Sequence, residues 1–186
     1  MRGRCRLLVS LFLIGSSFAT PQLAIQSASQ TIVESGADGS ARGVNRILGG
    51  IISYARWPGE RAGAARTICL VGDPRLSDRI APTVPDGPVI SVRHMSAAGV
   101  IGGGDCDIIF LGQMPVIDRQ RLIAWVRARP VLTITDDDPG CSYGAMFCLT
   151  GRTGSVSFSA NLDAIGRGTV RVDPRVLKIG SDGGSR

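Results

Sequence analysis

Cys106-Asp107-Ile108-Ile109-Phe110-Leu111-Gly112 carries four consecutive apolar residues, with Gly102-Gly103-Gly104-Asp105 before them and a closing glycine after. Such a run, without polar alternation, suits a strand buried on both faces, and we read it as the central strand of a sheet. Asp118 then offers an N-cap for a helix whose apolar positions Leu122, Trp125 and Val126 share one face, with Arg119, Arg121, Arg127 and Arg129 over the rest. Pro130 stops that helix, and Val131-Leu132-Thr133-Ile134-Thr135 is β-branched at four of its five positions, which predicts the next strand. Strand, helix and strand in so short a span make a βαβ unit with parallel strands.

Upstream, Val44, Ile47, Leu48, Ile51, Ile52 and Ala55 recur at helical spacing as far as Trp57-Pro58. Thr67-Ile68-Cys69-Leu70-Val71 reads as the first sheet strand, followed by Gly72-Asp73-Pro74 as turn, N-cap and first helical position of a short helix to Ile80. Val89 to Val92 predicts another strand. Downstream, Ala145 to Leu149 and Ser155 to Ala160 flank Thr150-Gly151-Arg152-Thr153-Gly154 as a β-hairpin, and residues 170–179 should pack against the sheet. The fold class is α/β: a single domain with a mixed parallel and antiparallel sheet flanked by helices.

The two ends read differently. Arg2, Arg4 and Arg6 precede an apolar run from Leu7 to Phe18, too short to span a bilayer, and Ala19 suits cleavage. Residues 1–19 are therefore expected to be a removed signal peptide, and the working protein to be exported. Residues 20–42, rich in Ser, Gln, Gly and Ala, predict a flexible lead-in; residues 43–180 form the domain, and 181–186 a frayed tail. Without the three leader arginines, 18 basic residues face 15 acidic ones, too slight a surplus for a nucleic-acid surface.

Cys69, Cys106, Cys141 and Cys148 remain after processing, and an exported chain with an even number suggests disulfides. Three pairings are possible on paper. Cys69 lies in one expected core strand and Cys106 opens another, while Cys141 and Cys148 stand at either end of a loop. Position therefore pairs Cys69 with Cys106 and Cys141 with Cys148. A zinc site is not indicated, because no two cysteines show ligand-pair spacing and His94 is the one histidine.

No set of residues assembles nucleophile, base and oxyanion donors. Asp136-Asp137-Asp138 could hold a divalent cation, but it lacks alternating ligand spacing and precedes Pro-Gly, so we read it as a solvated turn. His94 lacks an accompanying nucleophile motif. Gly72-Asp73-Pro74 lacks the further glycines of a phosphate loop.

Several separated motifs coincide with one family. They are Tyr54-Ala55-Arg56-Trp57-Pro58, Ile68-Cys69-Leu70-Val71-Gly72-Asp73-Pro74, Cys106-Asp107-Ile108-Ile109-Phe110-Leu111, and Arg129-Pro130-Val131-Leu132-Thr133-Ile134-Thr135-Asp136. Gly140, Phe158-Ser159-Ala160-Asn161-Leu162-Asp163-Ala164 and Arg175-Val176-Leu177-Lys178 follow in the same order. In these motifs the chain resembles the YfiR family, periplasmic repressors of YfiN-type membrane diguanylate cyclases. The resemblance implies a non-catalytic protein without cofactor or metal, disulfides on the two pairs above, and a homodimer. It implies binding to the periplasmic part of the cyclase, lower cyclic di-GMP and less biofilm, with a YfiB-type outer-membrane lipoprotein as a second partner. Ser142, Ser159, Ile165 and Arg171 are the expected partner-facing positions. Two other classes stay open: a periplasmic small-ligand-binding module, and a metal-dependent hydrolase using Asp136.

Overall fold

The computed structural model describes residues 30–36, 38–59, 63–152 and 154–179. The expected signal peptide, its cleavage site, residues 20–29 of the lead-in and the 181–186 tail lie outside the described residues.

Seven strands form one sheet. In chain order they are β1 (Gln30–Val33), β3 (Arg66–Val71), β4 (Ile90–His94), β5 (Ile108–Leu111), β6 (Leu132–Thr135), β7 (Phe147–Arg152) and β8 (Ser155–Ala160), lying side by side as β1-β8-β7-β6-β5-β3-β4. From β4 through β7 every neighbour is parallel, while β7, β8 and β1 are antiparallel. The α/β class and mixed sheet read from the sequence are thus present. β6 occupies the middle, however, and β5 lies beside it with all four residues buried.

One face is covered by α1 (Gly39–Tyr54), whose stripe Val44, Ile47, Leu48, Ile51 and Ile52 is buried with Phe110, Phe147 and Phe158. Burying each such side chain contributes about 2 kcal/mol. The other face carries α2 (Ala97–Ile101) and α3 (Val116–Val126), which close Val100 and Leu122 over Cys69, Val71, Ile109 and Leu111. Among the described residues no helix is long and apolar enough to cross a membrane.

Some expectations are corrected. Within residues 20–42, Gln30–Val33 forms an edge strand antiparallel to β8, and α1 starts at Gly39, so this part of the expected lead-in is ordered. α1 ends before Ala55, because Ala55–Arg56 becomes a short strand, β2, paired with β9 (Arg171–Val172). The C-terminal stretch packs on α1 as well, Ile179 Cδ1 lying 2.9 Å from where a Cβ on Gly50 would stand, while Val170 and Val176 are buried in the core that α1 shares with the sheet. Pro115, not Asp118, precedes α3, since its fixed φ already leads into the helix; Asp118 instead lies in the first turn, near the helix's positive end. α3 stops at Val126, ahead of Ala128 at φ 61°, well before Pro130. No helix runs from Pro74 to Ile80. The hairpin strands extend to Arg152 and restart at Ser155, which shortens the expected loop.

Candidate functional site

In an open parallel sheet, ligands enter where neighbouring strands wind in opposite directions, beyond their C-terminal ends. Here that point falls between β3, which leads outward to β4, and β5, which leads the other way to β6. The crevice is closed by the chain itself. Asp73 N–H donates to Gln113 O at 3.0 Å, Gln113 N–H returns to Asp73 O at 2.7 Å, and Gly112 N–H donates to Val71 O at 2.9 Å. Gly72, at φ 78°, and Gly112 permit this approach: a Cβ on Gly72 would stand 2.4 Å from Gln113 O, and one on Gly112 2.4 Å from Asp73 C. A phosphate loop at Gly72-Asp73-Pro74 has neither space nor a following helix.

Next along the same edge, the run after β6 corrects the solvated-turn reading. Asp136 and Asp138 are buried. Asp136 Oδ2 accepts from the backbone N–H of Arg75 at 2.7 Å and of Leu76 at 2.9 Å. Those N–H groups are therefore satisfied by the loop that follows β6, and residues 74–80 run as irregular chain rather than as the expected helix. Burial pushes the Asp136 carboxyl above its ordinary value, against the two N–H donors and with help from neighbouring Asp137. Asp138 Oδ2 accepts from Tyr143 N–H at 2.6 Å, and its carbonyl accepts from Cys141 N–H at 3.0 Å. Asp137 holds two guanidinium groups, Arg119 Nη2 at 2.6 Å and Arg75 Nη1 at 2.9 Å.

Arg119 is the residue the sequence reading misplaced. Only 6% exposed, it does not decorate the helix surface; it donates from Nη1 to Thr135 Oγ1 at 3.3 Å and from Nη2 to Gly112 O at 3.1 Å. The Thr135 hydroxyl in turn donates to Leu111 O at 2.7 Å and accepts from Asp137 N–H at 3.1 Å. One buried guanidinium thus ties the ends of β5 and β6 to the acidic loop, with the Tyr143 ring centroid 5.7 Å away. Helical spacing carried the signal, because Arg119 is three residues from the buried Leu122.

The Cys141–Cys148 disulfide closes this loop onto β7. Asn161 supports it, with Nδ2 donating to Cys141 O at 3.0 Å while Oδ1 caps α4 (Leu162–Arg167) through Ala164 N–H at 2.9 Å. The loop leaves Ser142 exposed and Tyr143 61% exposed, beside Val116 at 70%, in a cleft that Met114 and Pro139 also line. Exposed Val116 and Tyr143 side by side, next to charged groups, are of the kind found at interaction surfaces.

The four expected partner-facing residues fall into two groups. Ser142 lies in the disulfide loop and half-buried Ser159 next to it on β8, pairing across the strands with Cys148. Ile165, on α4, is half-buried against the core under α1, and exposed Arg171 pairs with Arg56 in the β2/β9 ribbon. Both expected disulfides are formed, with Cα separations of 5.7 Å for Cys69–Cys106 and 5.4 Å for Cys141–Cys148. His94 lies exposed at the end of edge strand β4. Among the described residues, no group of three or more His, Cys, Asp or Glu side chains is placed to hold a metal ion.

A family model described as YfiR/HmsC-like matches residues 43–181. Among solved structures, YbdL from Escherichia coli, whose report describes a methionine aminotransferase function, aligns at a TM-score of 0.47 with 8% identity. The alignment covers 82% of this chain and 46% of that one, so the chain spans about half that protein's length, and a likeness of this size carries no argument about function.

Proposed function

The chain belongs to the YfiR/HmsC-like family, and from that premise we propose that it is a non-catalytic repressor that binds the periplasmic part of a YfiN-type membrane diguanylate cyclase. The family supports a periplasmic regulator of cyclic di-GMP signalling. The observation that carries the reading is the match across nearly the whole domain, residues 43–181. The two disulfides agree with an oxidising compartment.

Repression needs no chemistry. A regulator that binds the inactive cyclase conformation better than the active one shifts the population by its differential affinity. Contacts of that kind are supported by the exposed Ser142 and Tyr143 and by the neighbouring Val116. Ser142, Ser159, Ile165 and Arg171 are the positions proposed to meet the partner. A homodimer, sequestration by a YfiB-type outer-membrane lipoprotein and restraint of biofilm complete the proposal, together with export by a cleaved leader.

The test is intracellular cyclic di-GMP in the native host with the protein deleted and then restored. A rise on deletion that reverses on complementation is expected; no change while the protein is expressed would remove the repressor reading. Introducing Glu at exposed Ser142 and at exposed Arg171 should weaken repression without unfolding the domain. Full repression by both variants would remove these positions from the interface.

A further inference from the structure

Beside the closed crevice and the Asp136–Asp138 run lies a further concave feature. It is a cleft of about 650 Å³ lined by Arg75, Met114, Val116, Arg119, Asp137 and Tyr143, among others. Its volume falls within the range of small-molecule sites. Its walls are of two kinds. Val116, Met114 and the Tyr143 ring are apolar, with Val116 and Tyr143 largely exposed. The other side is the ion-paired group of Arg75, Asp137 and Arg119.

The state of each polar group there decides what would bind. Arg119 is occupied by Thr135, Gly112 and Asp137 and is buried. Asp137 gives one oxygen to each arginine. Asp136 and Asp138 lie close by but neither lines the cleft; Oδ2 of each accepts from backbone N–H groups, of Arg75 and Leu76 for Asp136 and of Tyr143 for Asp138, and Asp136 Oδ1 is buried away from the cleft's lining. Arg75 differs from all of these. Its side chain is 57% exposed and fixed to Asp137 through Nη1 alone, so its Nε and Nη2 donors meet no acceptor among the described residues. A guanidinium anchored at one end with its remaining donors free is preorganised for a second, planar oxyanion.

We propose that this cleft binds a small amphiphilic monocarboxylate, its carboxylate on the free donors of Arg75 and its apolar body against Val116, Met114 and Tyr143. A cationic ligand would meet Arg75 unfavourably, and a wholly polar one would leave the apolar wall uncovered. The site goes beyond the repressor reading and does not depend on it, since binding is read on the purified protein without any cyclase.

The experiment titrates ¹⁵N-labelled protein with 4-phenylbutyrate, and separately with its neutral isostere 4-phenylbutyramide, following amide shifts by NMR. The expected result is saturable shifts at Val116, Arg119 and Tyr143 with the acid, at a Kd on the order of 1 mM for a ligand of this size. The amide should bind about tenfold more weakly, because it offers one neutral oxygen where the carboxylate makes a two-oxygen ion pair. Arg75→Gln should weaken the acid by a similar, roughly tenfold factor while leaving the amide unchanged. Arg121→Gln removes an exposed charge from α3 outside the cleft and should change neither. Equal binding of acid and amide, an unchanged Kd in Arg75→Gln, equal losses in Arg75→Gln and Arg121→Gln, or no saturable shifts at the three residues would each overturn the site.

Discussion

The two disulfides are bonds of the same kind with different tasks. Cys69–Cys106 joins the middle of β3 to the entry of β5 across 37 residues, a span that includes β4 and α2. Its Cys69 side is wholly buried beside Val100 and Ile109. Cys141–Cys148 closes only 7 residues, and what it encloses is the exposed turn bearing Ser142 and Tyr143. In the chain-entropy description the long loop removes more freedom from the unfolded chain, about 4 kcal/mol against about 2.5 for the short one. The first bond therefore acts mainly on stability, and the second mainly on the shape of a surface.

The largest expected effect tests that division directly. Replacing Cys69 and Cys106 together by Ala should lower unfolding free energy by about 4 kcal/mol, measured by urea titration at neutral pH. Arg119→Met comes next. It leaves Asp137 without its buried partner and Gly112 O without its side-chain donor, for a loss of about 3 kcal/mol. Arg75→Gln removes the exposed partner of the same carboxylate and should cost under about 1 kcal/mol; equal losses in the two variants would show that Arg119 is not the organising contact. Replacing Cys141 and Cys148 by Ser should cost about 2.5 kcal/mol. At a temperature where both double variants are folded, this second one should lose more repression of cyclic di-GMP than the first. The opposite order would place the regulatory surface away from the loop.

The parts of this division visible in the sequence are those fixed by local pattern. β5 and β6 are short apolar or β-branched runs between turn residues, and the α1 stripe repeats at helical spacing, so neither depends on distant partners. The cysteine pairs followed from strand placement. What escaped depends on contacts far along the chain. β1 reads Gln-Thr-Ile-Val, with Ile32 buried between exposed Thr31 and Val33, and becomes a strand by pairing with the edge that β8 presents more than 100 residues later. Asp136 looked like turn chemistry because its donors, Arg75 and Leu76, lie about 60 residues upstream. Residue type alone puts Arg119 on the surface, whereas its spacing from Leu122 puts it on the buried face. Of the four expected partner-facing positions, Ser142 and Ser159 could be grouped only once the disulfide and the β7/β8 register were known.

The smallest expected effect asks what holds the acidic loop that both the disulfide turn and the cleft rest on. Asp136 accepts two backbone N–H groups, which favours its charged form, yet burial dominates and raises its pKa. A carboxyl whose folded pKa is raised stabilises the fold fully below its unfolded pKa, and that contribution is lost as pH rises through the folded value. Asp136→Asn keeps an oxygen for Arg75 and Leu76 N–H but has no charge to bury. The thermal midpoint of the variant relative to the native protein should therefore shift in the variant's favour as pH rises from about 3.5, near the ordinary carboxylate value, towards 7. Asp173, held down to about 2 by the Arg175 guanidinium bonded to it, titrates alike in both proteins and cancels from the difference. A difference that stays flat with pH, or moves the other way, would mean that the two backbone donors outweigh burial and that the loop is held by an ionised carboxylate.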